Sequence, residues 1–134
     1  MEEMLLDNGD NTITDKGTGL QWIQDHTIIP EFAKEATPTA IVEAIAGLNR
    51  QRYAGCENWR LPTRKELLSI VDITRFAPAI NPIFKNIRSD IWYLTSDPVV
   101  VFPLLVWCVV FLRGDVNRGA VDELFFALPV RSIK

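Results

Sequence analysis

Residues 98–112 read PVVVFPLLVWCVVFL, fifteen residues without a charge. No other segment constrains the fold so tightly. A membrane helix needs about 20 apolar residues, so the run is too short to span a bilayer. It contains Pro98 and Pro103, and valine is its commonest residue, a composition that suits strands rather than helix. Part of the run must form core. Side chains alternate across a strand, so the others are expected to point outward. An exposed apolar patch of that kind marks a binding surface.

The rest of the chain is that of an ordinary globular domain. Its 134 residues are 48% hydrophobic and 23% charged, which fits one domain spanning 1–134 with a real core. The net charge of −3 disfavours a generic nucleic-acid binder, which should be basic. Neither nucleic acid nor membrane insertion is expected of it. The N-terminal MEEMLLDNGD is acidic and lacks the apolar stretch of a signal peptide. The expectation is a protein that is cytoplasmic as made or displayed at a surface by another route. Cys56 and Cys108 are isolated, with neither a CxxC nor a metal-ligand spacing. Whether they pair stays open.

Local signals place the elements. Thr12-Ile13-Thr14 and Leu20-Gln21-Trp22-Ile23 alternate like two short strands joined by a turn containing Gly17 and Gly19. Residues 25–36 read as a loop around Pro30. Residues 37–53 are the clearest helix, with Thr37 or Thr39 as N-cap and Ile41, Val42, Ile45 and Leu48 at helical spacing. Thr63-Arg64-Lys65-Glu66 is a capping-box pattern that predicts a second helix over 64–72. Residues 76–84 form a proline-containing loop. Strands are expected at 91–95, at 104–112 and 115–120 as a hairpin turning near Arg113-Gly114, and at 125–133. The fold class is α+β.

The residue types that carry chemistry have plain structural readings. Asp7, Asn8, Asp10, Asn11 and Asp15 offer calcium-like oxygens, but no EF-hand spacing is completed and they read as turn formers. His26, the only histidine, reads as a loop residue without a sequence-adjacent triad. No GxGxxG, P-loop or HExxH is present, so no cofactor and no metal is expected. Trp22, Trp59 and Trp107 are expected in the core rather than stacked on sugars. Glu66 reads as a helix cap and Arg60 as a framework hydrogen-bond donor.

A family resemblance rests on several of these segments in order. DNGDNTITDKGTGLQW resembles the DNGDGTVTDxxTGLMW opening of Lcl C-terminal-like domains. AGCENWRLPTRKELLSIVD resembles their most recognisable segment, AGYxDWRLPTxxELxSL. Ile91-Trp92-Tyr93-Leu94-Thr95-Ser96, Val106 to Phe111 and Pro129-Val130-Arg131-Ser132-Ile133 resemble their YWTST, VWYVNF and terminal VRxV segments. The NWRLPT-to-Glu66 stretch is the specific one; the others alone are weak. The resemblance implies a compact C-type-lectin-like fold, related to formylglycine-generating enzymes. Two helices would flank a small mixed or antiparallel sheet, and the C-terminal strands would present a ligand-binding face. Such domains are usually binding modules, often for glycans or surface proteins, and this chain is expected to be one without catalysis.

One departure from the family pattern carries the functional expectation. Where relatives place Asn, Ser, Tyr and Gly, this chain has Val99, Val100, Val101, Phe102, Leu104 and Leu105, then Cys108, Val110, Leu112 and Arg113. Residues 97–126 contain no Lys, Gln or Met, one Glu and one Trp, against nineteen of those five types in residues 1–96. Randomising both adenines of an asparagine codon cannot produce any of the five. The stretch therefore resembles the variable region of a protein diversified by a retroelement. Buried strands also avoid Lys, Gln and Glu, which explains part of the same bias.

The expected ligand contacts are Val99, Val101, Phe102, Leu104, Cys108, Val110, Leu112, Arg113, Asp115, Asn117, Arg118, Asp122, Leu124 and Phe125. An apolar face of this kind suits a protein or cell-surface ligand better than a sugar. Glycan binding, self-association through the apolar hairpin, and thiol chemistry of the formylglycine-generating kind at Cys56 or Cys108 are the rival readings. Which valines face outward is open, because a one-residue register slip inverts every assignment.

Overall fold

The computed structural model describes residues 4–99, 102 and 104–133. Seven strands are present: β1 (Leu5–Asp7), β2 (Thr12–Asp15), β3 (Leu20–Ile23), β4 (Trp92–Pro98), β5 (Leu105–Val110), β6 (Asp115–Ala120) and β7 (Val130–Ser132). Two helices lie between the third and fourth strands, α1 (Pro38–Arg50) and α2 (Arg64–Ser69). The α+β class is as expected. The single small sheet is not: the strands divide into β1-β2-β3-β7 and β4-β5-β6. Among the described residues every ladder is antiparallel, and the one parallel contact is an isolated bridge between Tyr93 and Phe126.

The helices begin where their caps predict. The Thr37 hydroxyl accepts from the Ala40 N–H at the start of α1. This helix buries Ile41, Ile45 and Leu48, spaced to share one face. At α2, Thr63 Oγ1 accepts the Glu66 N–H while Glu66 Oε1 accepts the Thr63 N–H, a complete capping box. This helix is shorter than predicted, ending at Ser69. Val71 leaves the helical path to bridge Ile80, and the Asp72 N–H donates to Ala79 O. Residues 25–36 hold two short 3-10 turns, the first capped by Asp25 through the Thr27 N–H.

The C-terminal strand also departs from expectation. Only Val130–Ser132 pairs with β3. Phe125 instead bridges Ala36, and Phe126 joins β4, its N–H donating to Trp92 O. Pro129 has no N–H to continue a ladder. Residues 125–130 thus cross from one sheet to the other, and all are buried.

The apolar run is explained by two cores rather than one. Tyr93 and Val109 face each other across β4–β5 and join a cluster with Trp22, Leu67, Phe111 and Leu128. Their neighbours Leu94 and Cys108, also paired, point the opposite way into a second cluster with Ile45, Leu48, Trp59 and Phe125. Adjacent residues on a strand face opposite sides, so the centre of β5, at Cys108 and Val109, is buried on both. A strand buried on both faces needs a continuous apolar sequence. No helix among the described residues is long and apolar enough to cross a membrane.

Candidate ligand-binding surface

Burial corrects part of the expected contact set. Phe125 and Cys108 are 0% exposed and Val99 is also buried, so none of the three is displayed. Phe125 packs against Trp92, ring centroids 6.0 Å apart, and under Gly119. A Cβ on Gly119 would come within 2.8 Å of the Phe125 ring and 2.9 Å of Trp92, so only glycine admits this packing. Val110 and Leu112 are half-buried. Val101 lies outside the described residues.

The remaining candidates are at the surface. Phe102 is 52%, Leu104 72% and Leu124 52% exposed. Arg113, Asp115, Asn117, Arg118 and Asp122 are exposed as well. Two loops meet at the end of the β4-β5-β6 sheet that carries the apolar residues. The Val121 N–H donates to Leu104 O (2.9 Å), and the Leu105 N–H donates to Phe102 O (2.9 Å). Arg113 lies at the opposite end, in the β5–β6 turn, so the expected contacts span the length of β6.

Trp107 belongs to this surface and not to the core, which corrects the expectation for it. It is half-buried and pairs across the sheet with Arg118. The Arg64 guanidinium lies 4.4 Å from its ring centroid, and that of Arg118 lies 5.9 Å away. Both distances are within the reach of a cation–π contact, about 6 Å. Arg64 comes from the first position of α2, whose backbone N–H donates to Asp97 Oδ2 (2.9 Å). Sequence reasoning missed Arg64 because its only visible role was inside the capping-box pattern. Trp22 and Trp59 are core, as expected.

The other chemistry-bearing residues are occupied structurally. His26 is buried, with Nδ1 2.7 Å from Phe32 O and Nε2 2.7 Å from the Tyr93 hydroxyl. That hydroxyl also accepts the Arg88 N–H (3.0 Å). One tautomer satisfies all three: Nδ1–H donates to Phe32, and Tyr93 donates to Nε2. Burial holds His26 below its ordinary pKa and raises that of Tyr93. Cys56 and Cys108 are free thiols, and burial pushes Cys108 up to about 12, far from a reactive thiolate. Asp7 accepts from Gly9 and Gln24, Asp10 from Thr12, and Asp15 from Gly17. Asn8 donates to Thr12 and Thr14, and Asn11 to Tyr53. These residues act as the predicted turn formers. No group of three or more His, Cys, Asp or Glu side chains suited to a metal occurs among the described residues.

Arg60 and Glu66 are the framework pair. Arg60 Nη1 and Nη2 lie 2.7 and 2.8 Å from the two Glu66 oxygens. The Arg60 hydrogen bond holds the Glu66 carboxyl below its ordinary value, and Glu66 in turn raises Arg60. Arg60 also bridges Val130 through its backbone, which ties the start of α2 to β7.

Two antiparallel sheets and two capped helices define a small α+β domain. Residues 11–131 match the Lcl C-terminal domain, and the chain belongs to that family. No curated protein and no solved structure matches it.

Proposed function

We propose that this domain is a ligand-binding module of C-type-lectin-like fold, without catalysis, that recognises a protein or cell-surface ligand through the β5–β6 hairpin and its adjoining loops. The observation that carries the reading is the exposure of Phe102, Leu104 and Leu124 where two loops open from one end of the β4-β5-β6 sheet. Large apolar side chains at a loop cluster, bordered by exposed polar ones, suit a hydrophobic anchor with a polar rim. The absence of a reactive role for Cys108, and the full use of both His26 nitrogens, support a binding rather than a chemical task.

The module is further proposed to be a retroelement-diversified variable protein. The compositional bias of residues 97–126 supports this, and double burial of β5 explains only its central part. The exposed strand β6 and the loop after it show the same lack of Lys, Gln and Met without being buried. The test is sequencing the 3′ end of the gene across many cells of the source population. The reading expects substitutions concentrated at codons 102, 104, 113, 115, 117, 118, 122 and 124, matching adenines in a nearby repeat. An invariant 3′ end overturns the diversified reading. In the binding test, replacing both Phe102 and Leu124 with Asp should abolish ligand capture while leaving the melting temperature nearly unchanged.

A further inference from the structure

We infer that Trp107, with the Arg64 and Arg118 guanidinium groups beside it, is a recognition site for the carboxylate side chains of an acidic peptide segment in a protein partner; this rests on the binding-module reading above. The starting point is where the arginines find their counter-charges. Arg50, Arg52, Arg60, Arg75 and Arg88 each lie within 3.4 Å of a carboxylate oxygen. Arg131 donates to the side-chain oxygens of Asn58 and Gln21. Among the described residues, the guanidinium groups of Arg64, Arg113 and Arg118 make neither a salt bridge nor a hydrogen bond. Of these three, Arg64 and Arg118 converge on one indole.

A guanidinium held near a ring by cation–π attraction keeps the N–H donors of its edge for another partner. The indole also restricts the rotamers of two long side chains before any ligand arrives. A planar carboxylate matches a guanidinium edge with two parallel hydrogen bonds. Two such groups flanking one aromatic therefore fit a pair of closely spaced carboxylates.

The surroundings select a peptide over a long polyanion. The chain carries a net charge of −3, and Asp97, Asp122 and Glu123 lie in the segments next to the site. They repel an acidic peptide too, but less than a sulfated chain charged at every unit, so the ligand's carboxylates must be few and spaced by uncharged residues. Leu105, two residues from Trp107 on the same face of β5, is half-buried, and Leu104 beside it is exposed. These can take up apolar side chains interspersed with the acidic ones. The partner would not add as a strand to the edge of β6. The Arg118 and Ala120 N–H groups there already donate to Asn117 Oδ1 and Glu123 Oε1, each at 2.9 Å. Occupied edge donors protect a sheet against strand addition, so recognition falls to side chains.

The test uses the full chain and a fluorescein-labelled peptide of alternating Asp/Glu and Leu, followed by anisotropy. The controls are the same peptide with Asn/Gln in place of Asp/Glu, and unlabelled heparin as competitor. The acidic peptide should bind and the amide peptide should not. Arg64→Gln with Arg118→Gln should weaken binding about tenfold, and Arg64→Lys about threefold, with the melting temperature unchanged. Equal binding of acidic and amide peptides, or equal binding by wild type and the double variant, overturns the site. Displacement by heparin at lower concentration than by the unlabelled acidic peptide overturns the peptide assignment in favour of a sulfated polysaccharide. Each of these failures leaves the module reading to its own test, because gene variation is measured without any ligand.

Discussion

Arg60 and Arg64 stand four residues apart and live in opposite circumstances. Arg60 is held by both oxygens of Glu66, and its backbone bridges Val130. Arg64 rests on Trp107 with its donors uncommitted among the described residues. The same division separates two phenylalanines of the apolar C-terminal segment. Phe125 is enclosed by Trp92 and Gly119, while Phe102 is half exposed. A framework residue has its bonding and packing satisfied within the chain; a recognition residue keeps them for something else.

The strongest test of that division is the core. Phe125→Ala should cost about 3–5 kcal/mol, against less than about 0.5 kcal/mol for Phe102→Ala, by denaturant unfolding. Similar losses at the two positions would erase the distinction. Gly119→Val should also destabilise, by about 1–3 kcal/mol, because its side chain meets Phe125 and Trp92.

Glu66→Gln should cost about 1–2 kcal/mol, since it weakens both the capping box and the Arg60 pair. Arg64→Gln should change stability by less than about 0.5 kcal/mol. An Arg64 variant as damaged as the Glu66 variant would make Arg64 framework.

Acid sharpens the comparison more gradually. His26 has its pKa lowered by burial, so the unfolded chain binds the proton more readily. Stability from this group is whole above pH 6.5 and declines as pH falls below that ordinary value, by at most about 1.4 kcal/mol per pH unit. Glu66, also lowered, gives stability that is present above its ordinary 4.5 and is lost as pH falls through its folded value. Urea midpoints between pH 8 and 3 should therefore fall in two stages. His26→Gln should flatten the first, and an unchanged first stage would remove His26 as its cause.

Much of the architecture was legible because its signals are local. The Thr63-to-Glu66 capping box, the Thr37 cap and the turn at Gly114 each need only a few neighbouring residues. The strand positions followed from alternation and from valine content. The short β1 was missed because three residues carry too little periodicity to register. Of the expected contacts, Phe102, Leu104, Arg113, Asp115, Asn117, Arg118, Asp122 and Leu124 are exposed. Val99, Cys108 and Phe125 were misread because an apolar run carries no mark of which face meets water.

Composition, caps and turn residues determined by themselves that this is an α+β domain, where its helices begin and where its last hairpin turns. Those features are decided by φ/ψ preference and by hydrogen bonds between near neighbours. Tertiary structure decided the rest. It split the strands into two sheets, carried residues 125–130 between them and buried the centre of β5 on both sides. It also brought Arg64 to Trp107, forty-three positions away in the chain. Such pairings arise from the mutual fit of surfaces that form only when the chain is folded, so no local pattern records them.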